Sequence, residues 1–237
     1  ADLKLPGMLH AAVLRSPHAR ARVKKLDLSP ALQLPGVLGA IGPDDCHVLE
    51  TEPGYHGAPV AAVAADSFTR AREALAAIDV EWEELEPLLD PEEAVRRESF
   101  VSDPRRYDRG DVEAGLAQAD VIVEGEYRTQ TVLHNSMETH QSVGRWEGDT
   151  LEVYISTQFI WGVRASIAEQ LELPADRVRV VCEYMGGGFG SKNNPGDYTY
   201  IGIALAGKTG RPVRCALTRR EENLATGNRN ATIQRLR

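Results

Sequence analysis

The chain has 237 residues, 42% hydrophobic and 26% charged, a balance that suits a globular protein of one or two domains with enough apolar side chains for a sizeable core. Its formal charge of -8, from 35 acidic and 27 basic residues, is the wrong sign for a nucleic-acid binder, because phosphate recognition needs clustered Lys and Arg. No apolar run reaches the length of a membrane span, and the first residues lack the basic-then-apolar pattern of a signal peptide. Cys46, Cys182 and Cys215 are few and far apart. With no C-x-x-C pair they indicate neither an iron–sulfur cluster nor a structural zinc site, and as free thiols they fit a reducing, cytoplasmic setting.

In chain order, Met8 to Leu14 reads as a strand that Ser16-Pro17 ends, and Val23 to Leu28 resumes extended structure. Ser29-Pro30 opens a short helix with Ser29 as its cap. Pro35-Gly36 stops that helix before an apolar strand at Val37 to Ile41. Pro59 to Ala65 is a further strand. Asp66 or Ser67 caps a helix running to about Ala77, with Phe68, Ala71, Leu75 and Ile78 on one face, and Val80 to Trp82 follows as a strand. Residues from about Asp90 to Gly115 are polar and charged and read as a linker with one helical turn. Beyond it, Val121 to Thr131 is extended, and Ser142–Trp146 and Thr150–Ser156 flank the turn Glu147-Gly148-Asp149. Phe159 to Leu171 has helical spacing, Arg177 to Tyr184 alternates, Tyr198 to Ala206 is a small-residue helix and Val213 to Leu217 a last strand.

Three segments carry chemistry. Gly186-Gly187-Gly188-Phe189-Gly190-Ser191-Lys192 directly follows a strand. Consecutive glycines are costly in chain entropy and pack nothing, so their use is a close backbone approach, positive φ, or an anion-binding nest of N–H groups. The phosphate loop of nucleotide hydrolases fails here, since Ser191 rather than Gly precedes Lys192. The dinucleotide fingerprint fails because Pro195-Gly196 interrupts before the helix. The segment from His134 to His140 places Glu138 between two His, but without the spacing of a helical zinc pair, and reads as a packed, hydrogen-bonded turn. Ser156-Thr157-Gln158 ends a strand; Thr157 is a candidate helix cap, and Gln158 brings an uncharged donor and acceptor suited to an oxo ligand. No nucleophile elbow and no Cys–His pair emerges.

Taken in order, these pieces resemble the molybdenum-binding subunit of the molybdenum hydroxylases, the xanthine dehydrogenase and aldehyde oxidase family. The likeness covers essentially the whole chain: Leu9 to Ala19, Leu34-Pro35-Gly36-Val37, Pro59 to Ala64, Gly110 to Gln130, the His134–His140 segment, Ser156-Thr157-Gln158 and Gly186 to Lys192. It implies an α+β fold, with a small α/β hammerhead-type domain at 1–93, a linker at 94–115, and at 116–237 the first, incomplete part of a mixed α/β molybdopterin-binding domain. It also implies that Gln158, Gly187, Gly188, Phe189 and Gly190 lie against a molybdenum–molybdopterin cofactor, carried in many bacterial members as a cytosine dinucleotide. Gln158 and the Phe189 backbone then stand beside the oxygen ligands of the metal.

The implied reaction is hydroxylation of an aldehyde or N-heterocycle with oxygen from water, with electrons leaving through iron–sulfur and FAD partners. Asn193 belongs to the substrate pocket and stands where xanthine-oxidising members carry glutamate, which disfavours a purine. No catalytic residue is expected in this chain. The family's base glutamate and substrate-side arginine have no counterpart, and Glu221 and Glu222 sit in the wrong part of the sequence. The chain is expected to need the remainder of the molybdenum subunit or a second, split chain; the competing reading is a non-catalytic binding module that retains the fold.

Overall fold

A computed structural model describes residues 3–237. In chain order the elements are β1 (Leu9–Arg15), β2 (Ala21–Asp27), α1 (Ser29–Leu32), β3 (Val37–Ile41), β4 (Pro59–Ala65), α2 (Phe68–Leu75), β5 (Asp79–Glu84), α3 (Pro91–Arg96) and α4 (Val112–Ala117). They continue with β6 (Gly125–Thr129), β7 (Gln141–Glu147), β8 (Thr150–Ile155), α5 (Ile160–Gln170), β9 (Val178–Val181), α6 (Asp197–Thr209), β10 (Val213–Ala216), α7 (Arg219–Ala225) and β11 (Thr232–Leu236). By contacts these fall into two units, one of residues up to Leu85 together with Leu133–Asn228, the other of Glu86–Val132 with Arg229–Arg237.

The first unit is built on a mixed seven-stranded sheet in the order β3-β4-β1-β10-β7-β8-β9. Only β1 with β10 and β8 with β9 run parallel. Strand β4, Pro-Val-Ala-Ala-Val-Ala-Ala, is buried at every position, because both of its faces are covered. Ala62 and Ala64 join the main core with Ile201 and Leu205 of α6, while Ala61 and Val63 pack with Ala74 of α2 and Ala65 with Ala71. The small side chains let both helices approach the sheet closely. At Gly144 of β7 the helix backbone itself comes close: a Cβ there would lie 3.2 Å from the Cα and 3.3 Å from the backbone N of Ile203 on α6. A separate two-stranded ribbon, β2 with β5, completes this unit.

Strand β8, helix α5 and strand β9 form the parallel crossover that helical spacing between two strands implies. Val163, Ile167 and Ala168 are the buried side of α5. Since β8 and β9 are parallel, their C-terminal ends emerge on one edge, and the segments that follow them begin there.

In the second unit, β6 and β11 pair antiparallel, with Thr129 Oγ1 and Thr232 Oγ1 2.8 Å apart and Arg235 Nε 2.9 Å from Glu126 Oε2. Helices α3 and α4 bury no residue and are capped by Asp90 and Asp111.

Local expectations were corrected in five places. Ser29 is the first residue of α1 rather than its cap; Leu28 holds the cap position, and Asp27 accepts the Ser29 N–H. The charged stretch contains two short helices, not one turn, because Asp90 and Asp111 each supply a capping acceptor. Only Gly125–Thr129 of the 121–131 run is a strand, the part that β11 pairs. Phe159 rather than Thr157 occupies the cap of α5. Helix α7 and strand β11 lay beyond the last expected element.

Candidate functional site

Strand β8 leads directly into Ser156-Thr157-Gln158, and β9 leads through Cys182 to Tyr184 into the glycine loop. The two segments interlock. The Gln158 N–H donates to Lys192 O at 2.9 Å, and Thr157 Oγ1 donates to the same oxygen at 2.8 Å. In return Gln158 Oε1 accepts the Gly190 N–H at 2.8 Å and the Lys192 N–H at 3.4 Å. The Gln158 side chain is thereby oriented: its carbonyl faces the loop, and its amide Nε2 is left exposed with no partner among the described residues.

The glycines have specific geometric reasons. A Cβ on Gly188 would lie 2.4 Å from Gln158 Oε1, so only glycine lets the loop settle on the glutamine. Gly187 and Gly190 have φ of 97° and 92°. Phe189 between them also has positive φ, 53°, an αL conformation that costs a non-glycine residue about 1 kcal/mol. Phe189 is 71% exposed. The loop closes on itself through Ser191 N and Oγ donating to Gly188 O, and Asn193 Nδ2 donates to Gly190 O at 3.2 Å. Three consecutive backbone N–H groups, of Gly187, Gly188 and Phe189, find no acceptor among the described residues. Successive unsatisfied N–H groups in such a turn are an anion-binding nest.

Beneath the loop lies a buried charge cluster. Lys192 is fully buried. Its Nζ donates to Glu138 O at 2.9 Å, to Ser156 Oγ at 3.0 Å and to Glu138 Oε2 at 3.3 Å. Ser156 Oγ donates to Glu138 Oε2 at 2.6 Å, the Gly186 N–H donates to it at 2.7 Å, and Gln141 Nε2 reaches Oε1 at 2.8 Å. Burial pushes the Glu138 carboxyl up, but the Ser156, Gly186 and Gln141 hydrogen bonds and the Lys192 charge outweigh it, leaving the group at about 2.

A second buried pair supports the same segment. Glu222 of α7 accepts the His140 backbone N–H at 2.8 Å and faces His140 Nδ1 at 2.9 Å, while His140 Nε2 lies 3.2 Å from Ser191 O. Burial raises the Glu222 carboxyl, and its hydrogen bonds from His140 bring it below the ordinary value. Glu221 is occupied elsewhere: it closes a capping box with Thr218 and accepts Arg15 Nε at 3.1 Å.

Thus the candidate residues Gln158, Gly187, Gly188, Phe189, Gly190 and Asn193 do come together, from two segments some thirty residues apart in sequence. Reasoning from sequence missed Lys192, Glu138 and Ser156 as a unit. It also missed helix α7, although Thr218-Arg219-Arg220-Glu221 carries the capping-box pattern in plain sight. Among the described residues no group of three or more His, Cys, Asp or Glu side chains converges as a protein metal site would. Among the described residues no helix is long and apolar enough to cross a membrane.

Free N–H groups in a nest beside an exposed amide donor at the strand ends are suited to an anionic or oxo-bearing group. The comparisons identify which. Residues 94–237 match the molybdopterin cofactor-binding domain, and residues 1–86 the α/β hammerhead domain of aldehyde oxidase and xanthine dehydrogenase. The chain is 33% identical to aldehyde oxidase 3 of Rattus norvegicus over 98% of its length, and 36% identical to xanthine dehydrogenase of Drosophila pseudoobscura pseudoobscura over 96%. Its fold superposes on quinoline 2-oxidoreductase from Pseudomonas putida 86 with a TM-score of 0.82 and 29% identity, covering 93% of this chain and 32% of that one. The chain belongs to the molybdenum hydroxylase family of xanthine dehydrogenases and aldehyde oxidases. It spans 18% of the length of these two curated relatives.

Proposed function

We propose that this chain is a portion of a molybdenum-dependent hydroxylase that oxidises an aldehyde or N-heterocycle with oxygen from water, and that it forms one wall of the molybdenum–molybdopterin site. The observation that carries the reading is the free donor set at one strand edge: the N–H groups of Gly187, Gly188 and Phe189 next to the unpartnered Nε2 of Gln158. Donors held in place before the ligand arrives stabilise negative charge on oxygen without reorganisation. These residues fit an oxo-bearing, anionic group. When bound, the cofactor supplies the two-electron redox chemistry. This chain would supply orientation: the Gln158 amide would donate to an oxygen ligand, and the glycines, having no side chains, leave the loop backbone open to close approach.

The same reading extends to what surrounds the site. Gln158 and the Phe189 backbone would hold the group through its oxygen ligands, and Asn193, its amide tied to Gly190 O, belongs to the substrate pocket, where an amide in place of a glutamate disfavours a purine. The cofactor carries a cytosine dinucleotide, the electrons pass to iron–sulfur and FAD partners, and the base and the rest of the pocket come from the remainder of the subunit or a second chain. Glu221 and Glu222, both engaged in structural bonds, support placing the base elsewhere. Of the division into 1–93, 94–115 and 116–237, the boundary near residue 93 is supported by the family matches, which meet between residues 86 and 94. A cytoplasmic location is supported by three free thiols.

The test is metal and pterin analysis of the intact enzyme, followed by turnover of an aldehyde and an N-heterocycle in oxygen-18 water. Molybdenum and pterin near one per subunit, with label in the product, is the expected result. A metal-free, pterin-free enzyme overturns the reading.

A further inference from the structure

We propose that the pair of buried Lys192 and half-buried Glu138 is a positioning device that pins both ends of the glycine loop and thereby seats it on Gln158. The loop is glycine-rich and has little to pack, so it needs tethers to hold one conformation. At its entrance the Gly186 N–H donates to Glu138 Oε2 at 2.7 Å, and the Glu138 N–H returns a bond to Gly186 O at 3.1 Å. At its exit Lys192 reaches the same carboxylate oxygen at 3.3 Å and the Glu138 carbonyl at 2.9 Å. One carboxylate oxygen therefore touches residues at both ends of the loop. The third acceptor of the ammonium, Ser156 Oγ, lies two residues before Gln158, so the cluster also ties the loop to the strand end that carries the glutamine. The Lys192 backbone completes the junction by bonding Gln158 in both directions.

A lysine at a loop end would ordinarily keep its charge in water. Here it is fully buried and makes three hydrogen bonds, one for each ammonium proton. Burying an ion pair gives little net stability compared with apolar residues of similar size, but it fixes geometry because each charge has few places to go. The pair is thus better suited to holding position than to stabilising the fold. Its consequence for the metal rests on the molybdenum reading above; the clamp itself rests only on these contacts.

The experiment compares Lys192→Met, Glu138→Gln and the double variant in the intact enzyme, with Lys208→Met as a control, since Lys208 pairs with Asp45 at the surface. Amide hydrogen exchange is read across residues 186–192, together with melting temperature, the molybdenum EPR spectrum, kcat and KM. Lys192→Met is expected to raise exchange in the loop by about tenfold or more. The double variant, with no unpaired buried charge, is expected to recover melting temperature while the loop stays unprotected, the EPR spectrum stays shifted, and kcat falls more than KM changes. Loop exchange in Lys192→Met like that of the control, or protection restored together with melting temperature in the double variant, would overturn the clamp. If the wild-type enzyme holds no molybdenum, the molybdenum reading fails, and the exchange measurement still decides the clamp.

Discussion

Gln158 Oε1 lies 2.8 Å from the Gly190 backbone N, so the side chain expected to face a metal ligand also anchors the loop opposite. The two roles use different ends of one amide. Replacing Gln158 by Ala removes both, and turnover is expected to fall about a hundredfold, as for loss of one oriented donor at a developing oxyanion. Gln158→Glu keeps an acceptor for Gly190 but loses the donor and adds a charge. It is expected to preserve loop protection and still lose turnover. Steady-state kinetics and hydrogen exchange on both variants check this.

Gly188→Ala probes the contact from the other side. The new Cβ would lie 2.4 Å from Gln158 Oε1, the mobile end of a side chain. The glutamine can swing away, so the expected loss in stability is small, about 1 kcal/mol or less, while turnover drops as in Gln158→Ala. A thermal melt and kcat measured on one preparation separate the two effects.

Acid stability should reveal Glu138. The folded protein holds this carboxyl at about 2 against an ordinary 4.5. A depressed folded value means the stabilisation is fully present above pH 4.5 and is lost as pH falls from there towards 2. Glu222, also depressed, acts in the same direction. Glu138→Gln is therefore expected to flatten the fall in unfolding free energy between pH 4.5 and 2, measured by urea denaturation at fixed pH values.

The helix–sheet seam gives a purely structural control. At Gly144 an added side chain meets backbone atoms of Ile203, 3.2–3.3 Å from the first carbon, and backbone in a packed helix cannot move aside. Gly144→Val is expected to cost about 2 kcal/mol or more, lowering the melting temperature by roughly 4–8 °C. Scanning calorimetry measures it.

What could be read from the sequence was local. The glycine loop announces itself after an alternating strand, Gln158 ends another strand, and helical spacing from Ile160 to Leu171 between them implies the parallel crossover that brings both to one edge. Contacts between distant segments leave no such trace. Lys192 finds Glu138 across 54 positions and His140 finds Glu222 across 82, and a buried lysine looks like any other in a sequence. Nor does periodicity tell that β1 lies beside β10 in one sheet, since alternation reports which faces are covered, not which strand is the neighbour. The missed helix α7 is different, because its capping box is local and legible.

The most direct test of the central claim is to locate molybdenum in crystals of the intact enzyme by anomalous diffraction at the molybdenum edge. The expected result is one strong peak at the edge where β8 and β9 end, with the Gln158 amide and the Phe189 N–H directed at the ligands of that atom. No peak, or a peak away from Gln158 and the glycine loop, would contradict the account.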